Sequence, residues 1–523
     1  MSGRSEQSAT SSILRVRLAV EELERREVPA ALTPAQVRHA YGFDLINFSY
    51  QGQTVPGDGG GQTIAIVNAY SHAKVYADAD NFSKGFSING VSQTLYQQYG
   101  PASSWLTVAR PQGTPPGDPT GGLWNLETSL DVQWAHAIAP GAKVLLVEAR
   151  SNSFSDLTGA VNYARSQPGV VVVSMSWGAG EFSSELSYES TFTTPAGHLG
   201  GSNGKGGARL AGGVSFVAAS GDSGTPGLWP AASGRVLAVG GTTLKVDSIG
   251  NYQSEVAWSG SGGSVSKYVP EPAYQSSLPY SKRAIPDVAY HADPANGFYV
   301  YHTLPVNGRT ATWWGVGGTS AGSPQWAALI AIVNQGRALQ GLGSLDGPTQ
   351  LLPAIYQLPS TDFHDVKTGS NGLPAGAGYD LATGRGSPYA DRIVRDLVKA
   401  AGLQTAATPD VPAAGRAARP LLRAQRQTVL PGAMPNLDFE AVVAWGEADG
   451  AGMLQGLHTE GGTGPWFVSA RPAVKQVSRW AAPWFSQDWP ENCRDVKWLA
   501  RGAARSALDE LFAADGLLDE LAH

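Results

Sequence analysis

Between residues 63 and 240 short apolar runs alternate with stretches of helical periodicity. Thr63–Ala69 (TIAIVNA) follows the Gly-rich turn Gly57–Gly61 and is almost wholly apolar and β-branched. Strands covered on both faces read this way. Lys143–Ala149, Val170–Trp177, Val214–Ser220 and Val236–Gly240 are similar runs. Between the first two lies a helical stretch, Leu123–Ile138, and a second helix is expected over Asp156–Ser166. A longer helix, Ser323–Arg337, carries Trp326, Leu329, Ile330 and Val333 at helical spacing. Alternation of strand and helix predicts an α/β domain: a doubly wound, mostly parallel sheet with helices on both faces.

The pattern also marks the ends. Residues 1–32 read as a polar lead-in with a short helix around Leu18–Arg26, and the domain proper spans 33–402. Residues 403–433 are rich in Ala, Pro and Thr, carry Arg416, Arg419, Arg423 and Arg426, and have Asp410 as their one acid. That composition is a solvated linker. Residues 434–523 hold Trp445, Trp466, Trp480, Trp484, Trp489 and Trp498. They close with Leu508, Leu511, Phe512 and Leu518 at helical spacing. This stretch is expected to be a small, mostly helical accessory unit ending in an amphipathic helix.

Composition narrows the function classes. The 523 residues include 42% hydrophobic positions, enough for a large core. With 43 acids against 37 Lys and Arg, a net charge of -6 gives no general attraction to nucleic acid or anionic membrane. No apolar run approaches the roughly 18 residues of a membrane span. Ile13–Leu23 is interrupted by Arg15, Arg17, Glu21 and Glu22, so it does not form the h-region of a secretory signal. The lone Cys493 excludes an intramolecular disulfide and any multi-cysteine metal centre.

Three segments carry candidate chemistry. In Gly318-Thr319-Ser320-Ala321-Gly322-Ser323-Pro324, glycine allows close backbone approach, and the following helix aims its positive end at Ser320. Ser320 is a candidate nucleophile; the same string also satisfies the G-x-S-x-G elbow of α/β-hydrolases, and a plain helix cap has the same composition. None of the nine histidines sits in a His-Gly-Thr-His setting. Glu127 and Asp131, four apart on Leu123–Ile138, share one helix face among apolar neighbours. Repulsion and burial raise the pKa of at least one, giving a proton-sharing pair suited to base catalysis in acid. Asp222, in Ser220-Gly221-Asp222-Ser223-Gly224, follows an apolar run at the end where parallel sheets place active sites. If protonated, its carboxyl is a hydrogen-bond donor.

In that order, Glu127-x-x-x-Asp131, Ser-Gly-Asp222 and Gly-Thr-Ser320-Ala-x-x-Pro resemble the sedolisin family, serine-carboxyl peptidases of subtilisin-like fold, over about residues 33–402. The resemblance implies an endopeptidase acting on proteins or peptides at acidic pH. Ser320 would be its nucleophile, Glu127 its general base, Asp131 the group orienting Glu127, and Asp222 the oxyanion donor. It implies that Ser176, Trp177 and Gly178 belong to a strand on which an extended substrate pairs. It also implies one structural calcium ion, held by the carboxylates of Asp365 and Asp380 and the carbonyls of Val366, Gly376 and Gly378. A secreted or extracytoplasmic location is expected with it. Only residues 1–32 precede the domain here, against the long propeptide usual in the family. Two other readings stand beside it: an esterase of the α/β-hydrolase type, for which His458 is the well-spaced base, and an inactive relative that presents the tail to an unknown partner.

Overall fold

The computed structural model describes residues 31–204 and 207–398, and the backbone of residues 442–443. The expected lead-in helix, the 403–433 linker and the Trp-rich unit with its terminal helix lie outside the described residues.

Eight strands form the central sheet. They are β1 (Thr63–Ala69), β2 (Leu106–Ala109), β3 (Lys143–Ala149), β4 (Val170–Met175), β5 (Ser215–Ala219), β6 (Leu237–Val246), β7 (Tyr252–Ala257) and β8 (Val288–His291). Their order is β8-β6-β5-β4-β1-β3-β2, with every neighbouring pair parallel; β7 folds back antiparallel on β6. This is the doubly wound α/β arrangement that the alternation predicts. Side-chain alternation splits the core in two: Ile64 and Ile66 point into one apolar cluster, Ala65 and Val67 into the other.

The first cluster holds α1 (Pro34–Tyr41), α3 (Leu123–Ile138) and α5 (Thr319–Leu339), and the second is covered by α4 (Phe154–Ser166). A further helix, α2 (Val75–Gly85), packs on α3. Nearly every residue of α3 and α5 is buried, so both run through the interior. That setting puts two acids of α3 out of water. The helix α3 starts at Gly122, whose φ of +93° and place 2.1 Å (as a Cβ) from the Pro305 carbonyl admit glycine alone.

Two strand ends move by two residues or more from the sequence reading. Strand β4 stops at Met175, leaving Ser176 and Trp177 beyond its end. Strand β6 continues past Gly240 to Val246 because β8 pairs with it from Val239 to Thr242 and β7 from Thr242 to Val246, although its Gly-Gly-Thr-Thr stretch is turn-like in composition. A Cβ on Gly241 would lie 2.7 Å from Trp258 and 2.8 Å from Ala292.

Successive connections place β2 and β3 on one side of β1, and β4, β5, β6 and β8 on the other. The order therefore reverses between β1 and β4, where open α/β sheets build sites beyond their strand ends.

Candidate active site

Asn68, near the end of β1, and Ser176, just past β4, both reach into that crevice, and both meet Asp131 of α3. The Asn68 Nδ2 donates to Asp131 Oδ2 at 3.0 Å, and the Ser176 hydroxyl donates to Oδ1 at 2.8 Å. Glu127 lies one turn earlier, fully buried, and neither of its oxygens has a hydrogen-bond partner. The Ser320 and Ser176 hydroxyls are still close enough to lower its pKa. Burial, then the neighbouring Asp131, push Glu127 well above the carboxylate range. Burial pushes Asp131 up as well, opposed by the donors Ser176 and Asn68.

Ser320 occupies the first turn of α5, which begins at Thr319 rather than Ser323. Its Oγ is buried and has no partner. Thr319 holds Asp222 from the same turn: its N–H and hydroxyl donate to Asp222 Oδ1 at 2.8 and 2.6 Å. Asp222 Oδ2 is buried and unpartnered, and burial raises this carboxyl well above its ordinary range. With Oδ1 fixed as an acceptor, the proton belongs on Oδ2, which becomes a free O–H donor beside Ser320. Four expected residues from three separate segments thus converge on one buried space.

The proposed substrate strand divides. Trp177 is a core residue: it is 1% exposed, and its ring N–H donates to the Val67 carbonyl at 2.9 Å. Ser176 turns its side chain to Asp131. Gly178 packs against the Trp229 carbonyl, and Ala179 exchanges two 2.9 Å backbone bonds with Trp229, so one edge of this segment is already paired. Sequence reasoning missed Asn68, Thr319 and the side-chain role of Ser176. Asn68 did carry a signal, as the one polar side chain late in an apolar run.

The five residues expected to hold calcium share one loop system. Asp365 Oδ1 accepts the Gly378 N–H at 2.9 Å, and Asp380 Oδ2 accepts that of Gly376 at 2.9 Å. Ala382 and Thr383 N–H groups orient Asp380 at 2.8 Å each, while Lys367 lies 3.2 Å from Asp365. These donors are all hard oxygens, and space is open around Gly376 and Gly378. The set fits calcium.

Among the described residues one other cluster has metal-like composition: His72, Asp78 and His302, with ligand atoms within 4.8 Å of one another. The Lys74 N–H donates to His72 Nδ1 at 3.1 Å, so the proton of this neutral ring sits on Nε2 and points to Ser129 Oγ at 2.8 Å. Ser129 continues to His302 Nδ1 at 2.9 Å. The cluster is a hydrogen-bond chain that runs through Ser129 of α3, and none of these bonds leads to Ser320.

Residues 122–343 match the model of the subtilase family. Kumamolisin of Bacillus sp. (strain MN-32) is 34% identical over 74% of this chain and 67% of its own length. Sedolisin of Pseudomonas sp. (strain 101) is 29% identical over 58% of this chain and 55% of its own, and human tripeptidyl-peptidase 1 is 31% identical over 36% and 38%. The solved structure of Pseudomonas sedolisin complexed with pseudo-iodotyrostatin superposes with a TM-score of 0.54 at 24% identity, covering 70% of this chain and 97% of that one. That likeness speaks to the fold.

Proposed function

The chain belongs to the sedolisin family of serine peptidases, and from that premise we propose that it is an acid-acting serine-carboxyl endopeptidase with Ser320 as nucleophile. One observation carries the reading. Ser320 Oγ, both Glu127 oxygens and Asp222 Oδ2 are buried without partners, and Ser320 and Asp222 are both near enough to Glu127 to act on its charge. Unsatisfied buried polar groups cost about 1–3 kcal/mol each, so such a cluster needs a purpose that the resting fold does not supply.

Each group has a step to perform. Glu127 accepts the Ser320 proton as Oγ attacks the substrate carbonyl, while Asp131, sharing charge with Glu127, keeps the pair basic. The Asp222 O–H donates to the oxyanion that forms. Collapse of this intermediate returns the proton to the leaving amine, and water then cleaves the acyl-enzyme with Glu127 again as base. The free edge of the segment around Gly178 pairs with the extended substrate. A negative charge on the pair and a neutral Asp222 are both required. Activity is therefore lost in strong acid as the pair fills with protons, and lost again as Asp222 ionises. Burial raises both limits, which favours mild acid over the ordinary carboxylate range near 4.

Calcium, when bound by Asp365, Asp380 and the carbonyls of Val366, Gly376 and Gly378, supplies charge that holds these loops together; it takes no part in the reaction. Excess chelator should lower the melting temperature at a pH where both acids are ionised. An unchanged melting temperature would remove the metal from the reading.

The deciding experiment is hydrolysis of a denatured protein from pH 3 to 8 by wild type and Ser320→Ala, with product masses recorded. Internal fragments released in acid by wild type alone support the proposal. Tripeptides alone would make it an exopeptidase, and an alkaline optimum would point to a histidine base.

A further inference from the structure

The Ser176 hydroxyl stands between two acceptors. Asp131 Oδ1 lies at 2.8 Å and the backbone carbonyl of Ser320 at 3.3 Å, yet a serine has one hydrogen to give. That carbonyl is available because of Pro324. In a helix the Ser320 carbonyl would accept the N–H four residues on, and proline has none. The other oxygen of Asp131 is fixed. Thr128 donates its hydroxyl to the Trp124 carbonyl at 2.9 Å, so toward Asn68 at 3.2 Å it can only accept. The Asn68 atom facing both Thr128 and Asp131 is therefore the NH2, and Asp131 Oδ2 is an obligatory acceptor. A proton reaching Asp131 has one place to go, Oδ1, directly facing Ser176.

We propose that Ser176 is a positioning residue whose single hydroxyl hydrogen turns from Asp131 to the Ser320 carbonyl when Asp131 takes up a proton. The inference rests on the peptidase reading for its place in the reaction. The proton leaves Ser320 Oγ for Glu127 and is shared onward to Asp131. The new Asp131 O–H donates to Ser176 Oγ, and the Ser176 hydrogen swings to the carbonyl of the nucleophile's own residue. No proton is gained or lost, and in both states the Ser176 hydrogen has an acceptor, as does the proton on Asp131. The side chain thus serves both charge states of the pair, and removing it penalises the anionic one. The titratable groups facing Glu127 and Asp131 are each other and Asp222; their remaining polar neighbours are Ser176, Ser320 and Asn68.

The test compares wild type, Ser176→Ala, Ser176→Thr and Pro324→Ala across pH 2.5–7, with melting temperatures alongside. In Ser176→Ala the acid-side limb should move to higher pH by about half a unit or more, because an anion has lost a donor. Its kcat should fall about tenfold with KM within about twofold, and Ser176→Thr should restore the limb. Pro324→Ala gives the Ser320 carbonyl an amide partner, so it should melt at the same or higher temperature and yet turn over more slowly. A merely structural role would not join those two results. Wild-type kcat and pH profile in Ser176→Ala, or in Pro324→Ala should Ser176→Ala fail to fold, would overturn the proposal. Infrared titration of the carboxyls in the Ser320→Ala background reads the pair without turnover. If wild type shows no Ser320-dependent hydrolysis, the peptidase reading fails and this titration decides alone: a raised apparent pKa on adding Ser176→Ala sustains the switch, and an unchanged one removes it.

Discussion

Thr319 makes Asp222 useful by giving it a direction. Its two bonds to Oδ1 leave Oδ2 as the oxygen that carries the proton and has nothing else to bond. Because burial raises this pKa, the neutral donor survives above the ordinary value of about 3.9 and is lost only as pH climbs through the raised one. Asp222→Asn keeps an N–H donor that cannot ionise, so its residual activity should lack the alkaline-side decline of wild type. Asp222→Ala should cost on the order of a hundredfold in kcat. Full turnover in Asp222→Ala at pH 4 would take the oxyanion role away. At this scale the sequence is legible where partners are local. Glu127 and Asp131 share a face by helix spacing alone, and Ser320 sits in a motif. Asn68 and Ser176 were opaque because they meet Asp131 across 63 and 45 positions of chain, through a sheet order that spacing does not encode.

The helix α3 has to hold its acids still, and its two ends explain how. Gly122 opens it in a conformation that only glycine accepts, against the Pro305 carbonyl. At the other end Arg38 of α1, 1% exposed, donates to the carbonyls of Ala137 and Ile138 and, through Nε, to Asn89 at 3.0 Å. A cation there also answers the negative end of the helix dipole. Arg38→Met keeps the apolar stem and strands two C-terminal carbonyls, so urea unfolding should show a loss of about 2–3 kcal/mol. A change below about 0.5 kcal/mol would mean that α3 is anchored elsewhere. The helix itself was readable at both ends, Leu123 and Ile138, because Leu126, Leu130, Trp134 and Ile138 recur at helical spacing along it. The first turn of α5 was not: Gly318 to Ser323 is written in small residues that suit a cap as well as a helix. The unpaired carbonyl that Pro324 leaves is visible only once the helix is known to start at Thr319.

Across the whole molecule, two sets of buried groups pull stability in opposite directions with pH. Burial raises the carboxyls of Asp362 to about 7 and of Glu185 to about 8. Folded, they hold a proton that the unfolded chain releases near 4, so their contribution is whole below that pH and drains away as pH rises to about 8. Burial lowers His72 and His136 to about 3 and His302 to about 4. The unfolded chain protonates these near 6.5 while the folded one does not, so their contribution is whole above that pH and drains away as it falls. Between about 4 and 6.5 the slopes oppose and largely cancel. Of these two sets, only the histidines act below 4 and only the carboxyls above 6.5, so stability should fall at both ends around a mildly acid plateau. That plateau coincides with the range in which the Glu127–Asp131 pair and Asp222 are proposed to work. Composition gave no hint of it, since the net charge of -6 counts ionisable groups without saying which are buried. Thermal melts from pH 2.5 to 9 in the presence of calcium, which keeps the loop acids out of the comparison, should trace the plateau. His136 stacks on Trp105 with neither nitrogen bonded, so His136→Phe should flatten the acid-side fall and leave the alkaline side unchanged. A melting temperature that rises steadily to pH 9 would show that the raised carboxyls do not govern stability in this fold.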